Sequence, residues 1–174
     1  MAARLLVGSL RVSEYVDADA FARGLPRSET SAVTAGRAVL RRLDELAADR
    51  RSFGFETTLA SRSFRPRIRA LIRAGYQCHL VFLWLPSADF AVARVADRVR
   101  LGGHAVPEET IRRRYRSGVL NFFRLYQALT MTWRIYDNSV QEPRLIASGA
   151  GTETLAVNDV GLWRRIRAEA SHEG

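Results

Sequence analysis

GYQCHLVFLWLPSADFAVARVADRVRL, residues 75–101, decides the fold. Tyr76–Leu85 is an almost unbroken apolar run of strand length, the pattern of a parallel strand covered on both faces. Pro86 and Ser87 open a helix over 88–101, with Ala91, Val92, Val95, Ala96 and Val99 along its apolar side, and Gly102-Gly103 breaks it. On the N-terminal side, Arg65–Ala74 reads as a helix ended by Gly75. A buried strand between two helices is the unit from which parallel sheets are built.

The same alternation continues outward. Ser52–Glu56 reads as a strand. Ser28 or Thr30 can cap a long helix running through Arg50, with Val33, Val39, Leu40, Leu43 and Leu46 at helical spacing. EYVDA at 14–18 is a short strand, Ala18–Gly24 a helical turn, and residues 2–10 the tail of a helix. Toward the C-terminus, VPEE at 106–109 starts a helix, with Pro107 near the first position and two glutamates in the first turn. Its pattern runs to about Thr130. WRIYDN at 133–138 is a strand and turn, Arg144–Ala147 and Thr154–Val157 read as short strands of a hairpin around Gly149 and Gly151, and a helix follows from Val160. The expectation is an α/β fold with a parallel sheet flanked by helices.

At 174 residues, 47% of them hydrophobic and 26% charged, the chain reads as a single domain over 1–174. It contains no apolar run of the roughly 20 residues that a membrane helix needs. The N-terminus lacks the apolar core of a signal peptide. The single cysteine, Cys78, reads as a buried reduced thiol, and the cytoplasm is the expected compartment. His79, His104 and His172 are scattered without metal-ligand spacing, so no metal site is expected among the protein's side chains. All 27 basic residues are arginine and the net charge is +9, which favours anionic partners. Nucleic acid is not the expected partner, because the dense basic cluster is confined to IRRRYRSG at 111–118 and most other arginines sit beside an acid.

Three stretches can carry chemistry. VDAD at 16–19 ends a strand, where ligands of open α/β sheets bind. Asp17 or Asp19 there either serves a substrate hydroxyl or caps the next helix. FGFETTLASRSF at 53–64 ends its strand in Glu56, Thr57 and Thr58, a carboxylate and two hydroxyls suited to a polyhydroxylated or phosphorylated ligand. The other reading is again capping, by Thr58 or Ser61. RVADRVRLGGHAVPEETIRRRYR, residues 94–116, joins two arginine-rich helices at a Gly-Gly hinge carrying His104. A hinged arginine lid suits phosphoryl transfer, because guanidinium stays charged and binds phosphate bidentately. The alternative is a solvated face with Arg94–Asp97 and Glu109–Arg113 ion pairs.

Taken in order, VDAD…ARGL, AGRAVLRRLDEL, FGFETTLASRS, GYQCHLVFLWLPS, RVADRVRLGGHAVPEETIRRRYRSGVLNF and WRIYDNS resemble the zeta-toxin-like group of P-loop kinases over about residues 1–139. The resemblance implies a P-loop kinase fold, ATP and Mg²⁺ as cofactors, and phosphoryl transfer to a hydroxyl of a small molecule, a nucleotide sugar in zeta toxins. It implies Asp19 as general base or hydroxyl orienter. Glu56 and Thr57, with Thr58 beside them, would lie in the acceptor site, and Arg98, His104, Arg113 and Arg114 in the lid and phosphate region. Such proteins belong to toxin–antitoxin pairs, so an antitoxin is an implied partner. The chain departs from the family in having no G-x-x-x-x-G-K-[ST] loop and no lysine at all. It therefore reads as beginning after the first strand and the phosphate loop, and the expected fold lacks its central strand. Two alternatives stand beside an N-terminally truncated kinase: a degenerate relative that binds a ligand or partner without phosphoryl transfer, and a basic nucleic-acid-binding protein.

Overall fold

The computed structural model describes residue 12, residues 14–16 and residues 32–171. Asp17, Asp19, the helix tail expected at 2–10 and the turn expected at 18–24 lie outside the described residues. The chain divides into two compact units, one up to Thr57 and one from Thr58 onward.

In the first unit, β1 (Glu14–Val16) pairs in parallel with β2 (Phe53–Phe55), Tyr15 opposite Gly54. Helix α1 (Ala32–Ala48) lies between them in sequence. Val16 is buried, as are Val39, Leu43 and Leu46 on one stripe of α1, the side that the helical spacing marked. Arg42 ties helix to strand: its Nε donates to Glu14 Oε1 at 2.8 Å and its Nη2 to Oε2 at 2.7 Å. This bidentate bond holds the Glu14 carboxyl below its ordinary range, with the charges of Arg42 and Arg51 adding to it.

The second unit begins with α2 (Phe64–Arg73). Gly75, at φ 92°, ends it, its N–H donating to Ile72 O at 2.9 Å; a left-handed residue at that point is a helix stop that glycine adopts without strain. β3 (His79–Trp84) leads into α3 (Ala88–Arg100), whose cap is Ser87, Oγ accepting from Phe90 N at 3.1 Å. α4 (Glu108–Asn121) runs into a π-helical turn, Phe122–Tyr126, and a 3₁₀ turn, Gln127–Leu129. Then come β4 (Thr132–Asp137), the hairpin β5 (Arg144–Ala150) and β6 (Glu153–Val157), and α5 (Val160–Ser171). Among the described residues no helix is long and apolar enough to cross a membrane.

The expected parallel pairing is present in β1-β2 and in β3-β4, and β5 and β6 form the expected hairpin. The strands form two sheets, β1-β2 and β3-β4-β5-β6. Within the second, only β3 and β4 are parallel; β5 and β6 add antiparallel. The short connections after β4 and β5 permit nothing else, since a parallel return needs a crossover of a dozen residues or more. Among the described residues β3 lies at the edge of its sheet, and of its six residues only Trp84 is buried. The apolar run that reads as covered on both faces is here only partly buried.

The core of this unit gathers on β4. Trp133 is fully buried, stacked on Trp163 of α5 at 5.8 Å between ring centroids and met edge-on by Phe122 at 5.7 Å. Its Nε1 donates to Gly151 O at 3.0 Å. β5 runs on past Ala147, where the strand was expected to end, because Gly149 leaves room for that ring: a Cβ there would stand 2.4 Å from Trp133 Cζ2 and 2.0 Å from Glu153 O. Cys78 packs against this cluster, and burial pushes its thiol up to about 11, which keeps it protonated and unreactive at neutral pH.

Gly149→Ala should therefore destabilise the protein by roughly 1–3 kcal/mol, the range of an overpacked core, read as a lower denaturant midpoint at unchanged slope. A midpoint within error of the parent would show that β5 can give way and that Trp133 does not set its position.

Candidate functional site

Residues 58–61 leave β2 as a loop in which Leu59 is buried and holds φ 55°. Left-handed backbone at a leucine costs on the order of 1–2 kcal/mol, so the surroundings must impose it. They do so through the C-terminal half of α4 and the turn after it. Asn121 Nδ2 donates to Leu59 O at 2.8 Å and to Ala60 O at 3.2 Å. The Tyr126 hydroxyl donates to Ser61 O. Gly118 lets the helix approach: a Cβ on it would lie 2.6 Å from Thr58 O. The loop is thus held by its own carbonyls. Thr58 is exposed, and Ser61 Oγ accepts from Ser63 N at 3.1 Å at the entry to α2. The expected capping role falls to Ser61 in part, and Thr58 does not cap α2.

The N-terminal half of the same helix carries the arginine cluster. Arg112 bridges α4 to α3, pairing with Asp89 at 2.6 Å and Glu108 at 2.7 Å. Arg113 and Arg114 are exposed and have no ion-pair partner among the described residues. The pairs expected between Arg94 and Asp97 and between Glu109 and Arg113 do not form. Asp97 pairs with Arg100 instead, and Arg94 Nη2 donates to Asn138 O at 2.5 Å. Arg98 folds back on the hinge: its Nη2 donates to His104 O at 3.2 Å. Gly103 packs so closely on it that a Cβ would stand 2.7 Å from Arg98 Cγ. His104 is exposed on this loop, held by its carbonyl.

The helix is anchored at mid-length. Tyr115 OH donates to Leu85 O at 3.0 Å and Glu169 Oε2 at 3.1 Å, and burial with the Glu169 charge pushes its pKa well up. Trp84 Nε1 donates to the same carboxylate at 3.4 Å. One helix thus presents Arg113 and Arg114 at one end and grips the 58–61 loop at the other. Glu56, exposed, and Thr57, half-buried, precede that loop directly in sequence at the end of β2. Asp19 lies outside the described residues. The residues missed in the sequence are Gly118, Asn121 and Tyr126. Their signal was present: Gly and Asn are poor helix interior residues, so two of them three apart in a helical stretch mark a close approach and a side-chain bond.

Residues 14–147 match the family model described as Zeta toxin. That span is well over half of the chain and takes in the 58–61 loop, the Gly-Gly hinge and α4; the chain belongs to the zeta toxin family. An uncharacterized protein of Haemophilus influenzae is 30% identical over 63 residues, which is 36% of this chain and 45% of that protein. The match therefore covers less than half the length of that relative. No solved structure matches.

The family is kinase-like and ATP-dependent, and the residues present can be tested against that cofactor. A triphosphate is cradled by a glycine-rich loop whose lysine meets the β- and γ-phosphates and whose hydroxyl holds Mg²⁺. The 174 residues contain neither that loop nor any lysine. Among the described residues no group of three His, Cys, Asp or Glu is placed to hold a metal ion. These residues do not by themselves fit Mg-ATP.

Asn121→Ala removes the donor shared by Leu59 O and Ala60 O, which should cost about 0.5–1.5 kcal/mol and loosen the strained loop. Amide exchange should rise selectively over residues 59–63 while the helices keep their protection. Unchanged exchange there would mean that Asn121 does not hold the loop.

Proposed function

We propose that the protein carries the acceptor side and the lid of a phosphotransferase that acts on a hydroxyl of a small molecule, with a nucleotide sugar as the candidate acceptor. The observation that carries this reading is the double use of α4: the helix that pins the loop following Glu56-Thr57 also presents the unpaired Arg113 and Arg114. Acceptor positioning and charge over a migrating phosphoryl group are the two things such a reaction asks of the protein beyond its donor site. Asp19 is proposed to orient or deprotonate the acceptor hydroxyl. Arg114 and Arg113 are proposed to face the phosphoryl group, and Arg98 to shape the hinge that presents His104. Glu56, Thr57 and Thr58 are proposed to meet the acceptor's hydroxyls. A toxin role and a neutralising antitoxin would follow from family membership. The absence of the phosphate loop supports a second proposal: residues 1–174 alone transfer no phosphoryl group and act, if at all, as a binding protein.

The test uses two chains, residues 1–174 and the same residues preceded by a strand and a GxxxxGK[ST] loop. Calorimetry with Mg-ATP should find micromolar binding for the longer chain and none for the shorter. Tight binding by residues 1–174 would overturn the reading and require a different nucleotide site. In the longer chain, Asp19→Asn should lower turnover by roughly two to four orders of magnitude while ATP still binds. Arg114→Ala should lower kcat more than it raises the acceptor KM, with poor rescue by lysine, which lacks the planar fork. A change in KM alone would move Arg114 into acceptor binding.

A further inference from the structure

Helix α2 carries Arg65, Arg67, Arg69 and Arg73 and no acidic residue. Arg65, Arg69 and Arg73 follow one another at four-residue spacing, so they form a row along one side of the helix, each about 6 Å further along the axis. With Pro66 these three line a surface cavity of about 250 Å³. Arg69 and Arg73 also border an adjoining cavity of about 390 Å³, whose other walls are Ile72, Ala128 and Leu129.

The row differs from other arginines of this unit. Arg94, Arg98, Arg100, Arg112 and Arg165 each meet a carbonyl or a carboxylate. The guanidiniums of Arg65, Arg69 and Arg73 meet none among the described residues. The Nε of Arg65 is closed off from solvent without a hydrogen-bond partner, so packing holds this side chain in place with donor capacity left over. Like charges at four-residue spacing repel along a helix. Three in a row with no acid between them are a surface that lacks its counter-charge.

We propose that this face is an anion site for a small molecule bearing two or more linked phosphoryl groups. Planar guanidinium forks pair bidentately with phosphate oxygens. A row of them at helical spacing matches a short chain of phosphates better than a single anion, which could engage only one turn. The concavity is of small-molecule size, and the apolar walls beyond Arg69 and Arg73 offer a place for the non-phosphate part of the ligand. The site does not depend on the phosphotransferase reading, and it needs no metal ion.

Tripolyphosphate is the probe, titrated without Mg²⁺ into the full chain by calorimetry at low salt. Binding should be one-to-one and sub-millimolar. It should weaken at least about tenfold in Arg65→Gln/Arg69→Gln/Arg73→Gln, given the strength of charge-assisted hydrogen bonds. It should persist in Arg134→Gln/Arg144→Gln/Arg164→Gln, which removes the same charge from exposed positions elsewhere. Thermal melts check that both variants fold; if the first does not, Arg69→Gln alone, at an exposed position, takes its place. Equal loss in the two variants would reduce the effect to net charge and overturn the proposal. Binding of an oligothymidylate without tripolyphosphate would overturn it in favour of a nucleic-acid surface, and no binding of either would remove the site.

Discussion

The Trp133 indole is the fixed point of the second unit. Three segments close on it: Phe122 from the turn after α4, Trp163 from α5, and the end of β5, where Gly149 makes room for the ring and the Gly151 carbonyl accepts its N–H. A residue of that size admits few arrangements of its neighbours. Because Phe122 is one of those neighbours, the position of the π turn follows from the tryptophan. Asn121 and Tyr126 lie on either side of Phe122, so their grip on the 58–61 carbonyls follows as well. The strained backbone at Leu59 is a distant consequence of how β4 is packed.

This dependence explains which parts could be read from the sequence. The strands and helices were legible because each is set by local pattern: the apolar run of β3, the periodicity of α1, the Ser87 cap, the glycines after α2 and α3. The extent to which β3 is buried was not, because a continuous apolar run looks the same in a fully covered strand and in a partly exposed one. The extension of β5 to Ala150 was not legible either, since it rests on an indole from another strand filling the space left by Gly149. Ion pairs failed for a related reason. Helical spacing predicts Arg94 with Asp97 and Glu109 with Arg113, but spacing permits several exchanges at near-equal energy on a solvated face. Asn138 O, supplied by another element, takes Arg94, and Arg113 stays without an ion-pair partner among the described residues.

The candidate site was legible in part. FETT and the hinge arginines stand out by composition, whereas Gly118 and Asn121 look like flaws in a helix. They become intelligible only beside a loop that presents its carbonyls outward. A helix built from ideal formers would pack at ordinary distance and offer those carbonyls no such donor. The lowered propensity of α4 at these positions is the condition for its second contact.

A chain whose every cation is arginine must separate the arginines that hold structure from those that do not. Exposure alone does not make the distinction, since Arg113 and Arg100 are both exposed. Partnership does. Arg42 and Arg112 lock carboxylates between elements, and Arg98 is turned onto the hinge beside it. These are accounted for by the fold, and replacing one would first disturb geometry. Arg113 and Arg114, and the row on α2, have no such account. An unpaired guanidinium on a rigid helix keeps its donors pre-aligned and desolvates at less cost than an ammonium would. Recognition of phosphate is the chemistry for which that combination is suited, and it is available here on two helices without any lysine.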